Sequence, residues 1–232
     1  SGCVAWRGLV PADFARGLGF EHNSYVWMGP HRSVVMYYVQ GGDLFNWVGI
    51  GPHNSNARES WSARGSKPAA LAEFSGWHPQ VTSLIDGTEA LFMTSLSDRD
   101  PLAQWVSGRV ALLGDAAHAM MPFHAQGAAQ SIEDAWVMAR CLQDARDGIP
   151  AALERYQSLR RDRANRVQAQ SRAAEHLFHM ADPAQVAERN ERFARLSERA
   201  GGGFPQGQRW LFAYDAEKAV RGDDDEWRAM RW

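Results

Sequence analysis

A glycine followed by an aspartate, Gly114-Asp115, closes an apolar run and opens a segment of small residues. Glycine lets the backbone turn sharply at a strand end and lets a ligand come close to the main chain. The aspartate carboxylate accepts two hydrogen bonds, which suits a vicinal diol. A few residues on, Pro122-Phe123-His124-Ala125-Gln126-Gly127-Ala128-Ala129 leads into a stretch with helical spacing. The unpaired N–H groups and positive end of that helix are expected among these small residues. A helix start of this kind favours an electron-rich or anionic ring edge.

The histidines are the other residues with chemical capability. His118, His124 and the pair His176 and His179, set beside Gly114-Asp115, allow a metallohydrolase reading, with His176 and His179 sharing a helix face at i, i+3. No Asp-x-His or Asn-His companion supports it, and such pairs commonly occur without metal, so no metal ligand is assigned. The acidic run Asp223-Asp224-Asp225 reads as solvated surface.

The elements that must position these residues run strand-first and helix-last. Residues 3–7 form a short extended segment ended by Gly8 and Pro11. Residues 34–39 and 44–50, rich in β-branched and aromatic side chains, flank Gln40-Gly41-Gly42-Asp43 and predict an antiparallel hairpin. Residues 54–67 are polar and read as a loop. Short helices start at Pro68 and Pro79, the second stopped by Gly87, and 91–96 predict another strand. Residues 109–113, a continuous apolar run after Arg109, have the pattern of a strand buried on both faces. In the helix that follows, Ile132, Ala135, Trp136, Ala139 and Leu142 form the apolar stripe, with Gly148 as its stop. Glu133 and Asp134 near its start are read as offsetting the helix dipole. Residues 150–180 and 183–200 predict two more helices, with Asp182 as N-cap of the second, and Gly201-Gly202-Gly203 breaks the pattern. The order implies an α+β fold whose middle strand joins a buried sheet.

Composition sets broad bounds. A chain of 232 residues, 45% hydrophobic and 22% charged, buries a sizeable core in one large or two small domains. A net charge of −2 gives no reason to expect nucleic acid or an anionic membrane as partner. No apolar run approaches the ~20 residues that span a bilayer. Only two cysteines, Cys3 and Cys141, are present, both in apolar patterns, so buried reduced thiols and a reducing, cytoplasmic setting are expected. The ten tryptophans and ten phenylalanines read first as core, although they also permit a site for flat ligands.

The string Gly108-Arg109-Val110-Ala111-Leu112-Leu113-Gly114-Asp115-Ala116-Ala117-His118, then Pro122, Gln126-Gly127 and Ile132-Glu133-Asp134-Ala135, resembles the second FAD-binding motif of single-component FAD-dependent aromatic-ring hydroxylases, in particular the salicylate-hydroxylase-like branch. The segment Gly2-Cys3-Val4-Ala5-Trp6-Arg7-Gly8-Leu9-Val10-Pro11, together with Asp98-Arg99-Asp100-Pro101 and Trp105, is similar to further family segments, so the resemblance covers residue 1 to about residue 172. It implies a substrate-binding sheet domain over 1–100, the second half of a glutathione-reductase-like FAD-binding domain over 101–175, and a C-terminal helical region over 176–232. FAD is then the cofactor, NAD(P)H the reductant and O2 the co-substrate for hydroxylating a phenolic or hydroxybenzoate-like ring. A homodimer is left open.

Carried onto this sequence, the resemblance makes Gly114, Asp115, Pro122, Gln126, Gly127, Ala128 and Ala129 cofactor-binding residues. Asp115 would meet the ribityl chain, Pro122 the flavin ring, and the backbone of Gly127, Ala128 and Ala129 its pyrimidine edge. His118 belongs to the motif as a supporting packing residue. On the substrate side, related hydroxylases carry a His-x-x-x-Tyr pair on the hairpin strand; the matching positions here are Ser33 and Tyr37. Tyr37 is the catalytic candidate, with core packing as its ordinary alternative. Serine is no base near neutral pH, and His31 would take its place only if the register slipped. The family's Gly-x-Gly-x-x-Gly unit and its Asp-Gly motif have no counterpart in this sequence. The expected function is therefore FAD-dependent aromatic hydroxylation by an incomplete portion of an enzyme. The alternative is a catalytically inactive fragment or remnant without FAD turnover.

Overall fold

The computed structural model of the chain describes residues 1–52, 64–200 and 209–223. It divides into two compact units. The first comprises Ser1–Ser97 and His176–Gln185, and the second Asp98–Glu175 and the described residues from Val186 on. The chain thus returns to the first unit at His176–Gln185 after passing through the second.

In the first unit, β1 (Cys3–Pro11), β2 (Tyr25–Gly29), β3 (Arg32–Val39), β4 (Leu44–Pro52) and β5 (Leu91–Leu96) form one sheet in the order β2-β3-β4-β1-β5. Every neighbouring pair is antiparallel. The predicted hairpin is β3 and β4, closing at Val39 opposite Leu44. Its turn needs positive φ, and Gly41 and Gly42 supply it at 68° and 103°. Helices α1 (Ala12–Gly17), α2 (Lys67–Glu73) and α3 (Pro79–Asp86) complete this part of the chain. Alternation along the strands puts Val4, Trp6, Val34, Met36, Phe45 and Trp47 on one face, where Phe74, just past α2, and Val81, Leu84 and Ile85 of α3 pack against them. Gly8 does not end β1, contrary to expectation. It faces this core, and a Cβ there would lie 2.6 Å from both the Trp47 indole nitrogen and the Thr88 methyl. The glycine is a packing position inside a continuous strand. Most of the predicted loop over 54–67 lies outside the described residues; of its end, Arg64 bridges to Phe92 and Lys67 begins α2.

The second unit holds β6 (Val106–Ser107), β7 (Val110–Ala111), α4 (Asp115–His118), α5 (Gly127–Gln143), most of α6 (Ile149–Phe178), most of α7 (Pro183–Ala200), α8 (Arg209–Phe212) and α9 (Ala216–Arg221). Helix α7 has the predicted bounds, and Asp182 caps it by accepting from Gln185 N at 2.9 Å. The core joins Trp105 and Val106 to Val137 and Cys141 of α5 and to Ala152, Leu153 and Tyr156 of α6. Both cysteines are buried thiols, as expected.

Two expectations about this unit fail. The run 109–113 is not a strand buried on both faces. Only Val110–Ala111 is extended, paired with β6 alone, and Val110 is 67% exposed. A strand with one two-residue partner has no second layer to cover it. The apolar stripe of α5 also points the wrong way: Ile132 is 71% and Trp136 51% exposed. The inward positions are Gln130, Asp134, Val137 and Cys141. A buried ion network around Asp134, described below, sets that orientation. The helix ends at Gln143, and Gly148 at φ 91° lies before α6, so it does not close α5. The break at 201–203 and the acidic residues 224 and 225 lie outside the described residues.

Candidate functional site

Gly114 stands between the end of the apolar run and α4, with φ 60° and ψ −138°. A Cβ on it would lie 2.7 Å from Ser131 Oγ, so the turn passes directly against α5. The run before the turn is anchored by the buried Tyr156, whose hydroxyl donates to Leu112 O at 3.0 Å. Burial holds the Tyr156 phenol above its ordinary value, so it stays protonated.

Asp115 begins α4 and is exposed. Among the described residues no group hydrogen-bonds its carboxylate. It borders a cleft of about 370 Å³ together with Met120, Met121, Pro122, Ala125, Gly127, Ala128 and Ser131. Ligand clefts typically run from about 300 to 1,000 Å³. Across the cleft stands the start of α5. Its first intrahelical bond is Gln130 N to Gln126 O, 2.8 Å, so the N–H groups of Gly127, Ala128 and Ala129 precede the ladder. Among the described residues no side chain caps this end, and its own first turn holds no acidic residue. Gly127 faces Asp115 across the gap, since a Cβ there would lie at an ordinary contact distance of 4.0 Å from Asp115 Oδ1. The approach to α5 is a 3-10 turn over Pro122–His124, ended by Ala125 in the left-handed region at φ 52°. Burial lowers the His124 pKa, with a backbone hydrogen bond at Gln170 acting against that shift.

Of the seven expected cofactor residues, Asp115, Pro122, Gly127 and Ala128 line one cleft. Gly114, buried, precedes Asp115 and does not line the cleft itself. Gln126 and Ala129 are not among its lining residues. The side chain of Gln126 instead accepts from Gln130 at 3.4 Å. Met120, Met121, Ala125 and Ser131 were not anticipated, because methionine and alanine in a sequence read first as packing.

The largest departure lies behind the turn. Asp134 Oδ2 accepts from Gly114 N at 3.0 Å and from His118 Nε2 at 2.6 Å. Its Oδ1 accepts from Arg160 Nε at 2.8 Å. All three side chains are fully buried. Burial alone would raise the Asp134 pKa. The His118 hydrogen bond and the Arg160 charge outweigh it, so the carboxyl lies below its ordinary value. Arg160 also reaches Glu133 at 2.5 Å and the Gln130 side chain at 2.8 Å. Arg163 grips Glu133 with two bonds of 2.8 Å and donates to the Trp210 and Leu211 carbonyls of α8. Glu133 and Asp134 are thus the centre of a buried network, not exposed acids offsetting the helix dipole.

Tyr37 lies in the first unit on β3, 38% exposed, on the face away from Val34 and Met36 and opposite Asn46 of β4. Core packing is therefore not its role. Ser33 shares that face but is buried, with Oγ 3.0 Å from His179 Nε2. His179 lies beyond the last residue of α6 and binds the sheet, so it does not share a helix face with His176. Burial, with His31 and Arg32 nearby, lowers the His179 pKa to about 4. His31 takes φ 60° and donates its N–H to His179 O at 3.0 Å. Among the described residues no three His, Cys, Asp or Glu side chains gather to hold a metal. No helix among them is long and apolar enough to cross a membrane.

Residues 85–171 match the family model described as an FAD binding domain. A 3-amino-4-hydroxybenzoate 2-monooxygenase of Streptomyces platensis is 35% identical over 221 residues, covering 93% of this chain and 53% of its own length. A 3-hydroxybenzoate 6-hydroxylase of Polaromonas naphthalenivorans is 32% identical, covering 96% of this chain and 54% of its own. Among solved structures, a salicylate hydroxylase substrate complex superposes with a TM-score of 0.77 at 31% identity, covering 95% of this chain and 56% of that one. The chain spans about half the length of these relatives.

Proposed function

The chain belongs to the FAD-dependent aromatic-ring hydroxylases, and we propose that it forms the part of such an enzyme that holds the ribityl and ring portions of FAD and presents a sheet face to a phenolic substrate. The observation that carries this reading is the open carboxylate of Asp115 set across a cleft from the uncapped start of α5. The cleft fits the group chemically. A carboxylate without an internal partner accepts from a diol, and three free N–H groups at a helix start donate to an electron-rich carbonyl edge. The lining beside them, Met120, Met121 and Pro122, is apolar and suits a flat ring.

When bound and reduced with NAD(P)H, FAD supplies the activation of O2 that ring hydroxylation requires. The work of this chain is positional. Asp115 fixes the ribityl hydroxyls, the backbone of Gly127, Ala128 and Ala129 steadies the pyrimidine edge, and Pro122 limits ring movement. Gln126 serves through its place at the head of α5. In the other unit, Tyr37 offers a phenol to the hydroxyl of a hydroxybenzoate-like substrate. The second unit would be one half of a glutathione-reductase-like FAD domain. The two buried thiols suit a reducing cytoplasmic compartment.

The reading as a portion of a longer enzyme draws on the relatives' length and on α5. That helix leaves Ala128, Ile132, Ala135, Trp136, Ala139 and Leu142 exposed, an outer stripe without a charge. Such a stripe is expected where a further layer packs, from the same protein or from a second copy.

Titrating the purified chain with FAD tests the proposal. The expected result is quenched flavin fluorescence, an affinity lowered at least about 10-fold in Asp115→Ala by loss of a charge-assisted bond, and NAD(P)H consumption stimulated by 3-hydroxybenzoate. The half-length match favours a second reading, an inactive remnant. Absence of any flavin binding with excess FAD would establish that one instead.

A further inference from the structure

We propose that Asp134 is a positioning residue of the cofactor cleft: from inside α5 it locks the Gly114 turn and thereby aims the open carboxylate of Asp115. The inference rests on the FAD reading of that cleft and assigns a task to a residue that does not line it.

Three observations carry it. First, Asp134 sits at the eighth residue of α5, beyond the first turn in which an acid offsets the dipole, and its carboxylate is fully buried. Burying a carboxylate is unfavourable unless its oxygens are bonded. Here both are, by groups from three separate segments: the turn, α4 and α6. Second, the bond to Gly114 is made to its backbone N–H, the donor of the residue that precedes Asp115. That N–H belongs to the main chain, so side-chain changes in the turn do not remove it; among these groups only Asp134 serves as its acceptor. Third, α5 crowds the turn from a second side: a Cβ on Gly114 would lie 2.7 Å from the Oγ of Ser131, three residues before Asp134. Gly114 is thus bonded at its nitrogen and closely packed beside its Cα, while the next residue is left open to solvent. Two adjacent positions have opposite assignments: Gly114 is bound inward, and Asp115 is free to bind outward.

The network behind Asp134 explains why it stays in place. Arg160 is committed to Asp134, Glu133 and Gln130 at once, and Arg163 ties Glu133 to the carbonyls of α8. His118 Nε2 must donate to the carboxylate, which places its proton on that nitrogen; His118 Nδ1 is buried without a hydrogen-bond partner among the described residues. The imidazole is therefore an orienting donor, itself fully buried. The Trp105 ring packs beside it, tilted by 42° with centroids 5.3 Å apart.

The test compares hydrogen exchange at the Gly114 and Ala117 amides with FAD binding in the parent chain and in Asp134→Ala, Asp134→Asn, Asp115→Ala, His118→Ala and His118→Gln. D134A is expected to speed exchange at Gly114 at least 10-fold beyond any change at the Val137 amide, and to weaken FAD at least 10-fold. D115A is expected to weaken FAD similarly with Gly114 exchange unchanged. H118A should move both readouts in the direction of D134A, and H118Q, which restores a donor near the Nε2 position, should recover most of the loss. Should D134A not fold, D134N gives the same comparison, with one acceptor kept and the charge removed. A D134A or D134N chain that keeps Gly114 protected and binds FAD like the parent overturns the proposal, as does full activity of H118A in both readouts. If the parent binds no FAD while Gly114 exchange responds as expected, the turn lock stands and the FAD reading of the cleft fails.

Discussion

Replacing Gly114 with alanine probes the turn on which the site depends. At φ 60° and ψ −138° the residue occupies backbone space that is costly for any side chain, by about 1–3 kcal/mol. The new Cβ would also lie 2.7 Å from Ser131 Oγ and 3.3 Å from Ser131 Cβ. The hydroxyl must move and give up its 2.9 Å bond to Gly127 O, and such overpacking costs about 1–3 kcal/mol. The combined loss is roughly 2–6 kcal/mol, a large part of the ~5–15 kcal/mol that stabilises a typical domain. Urea unfolding followed by far-UV circular dichroism on the parent, G114A, S131A and the double mutant separates the two contributions. Removing the hydroxyl relieves the clash but not the backbone strain. The double mutant should therefore be more stable than additivity predicts by at least ~1 kcal/mol, while still below S131A alone. A G114A loss under about 0.5 kcal/mol, or strict additivity, would refute this account of the turn.

Three further outcomes are expected. His179 has a folded-state pKa near 4 against an ordinary 6.5, so its protonation favours the unfolded chain. Its contribution is intact above pH 6.5 and is lost as pH falls toward 4, by up to about 3 kcal/mol, and H179Q should flatten that part of a pH–stability profile. Ala125 sits at φ 52°, so A125G should raise the urea midpoint, by about 0.5–1 kcal/mol of stability. Ile132→Ser and Trp136→Ser alter exposed positions; each should change stability by less than ~0.5 kcal/mol while clearly reducing binding of an apolar dye such as ANS.

Local grammar determined a good deal about this protein. The β3–β4 hairpin was legible because β-branched runs on both sides of Gly41-Gly42 leave few other arrangements, and β5 and α7 have the predicted bounds for similar reasons. The Gly114-Asp115 turn was legible as a turn because a glycine there interrupts an apolar run, and Gly114 does take positive φ. Direction was not legible. Periodicity shows that α5 has an apolar face but cannot say which face a partner will cover, and here the buried side is the one bearing Gln130 and Asp134. That outcome depends on Arg160 and Arg163, far along the chain on α6, which supply the charge that lets two acids turn inward. Likewise the apolar run before Gly114 signals burial, yet Val110 is exposed because burial needs a neighbouring layer, which a one-dimensional pattern does not specify. His179 followed the same rule: its helical spacing to His176 was visible, but the helix ends at Phe178 and the sheet takes the imidazole. Residue types and spacing decided which chemistry the chain carries; long-range ion pairing and packing decided which side chains face inward and which one, Asp115, is left open to bind.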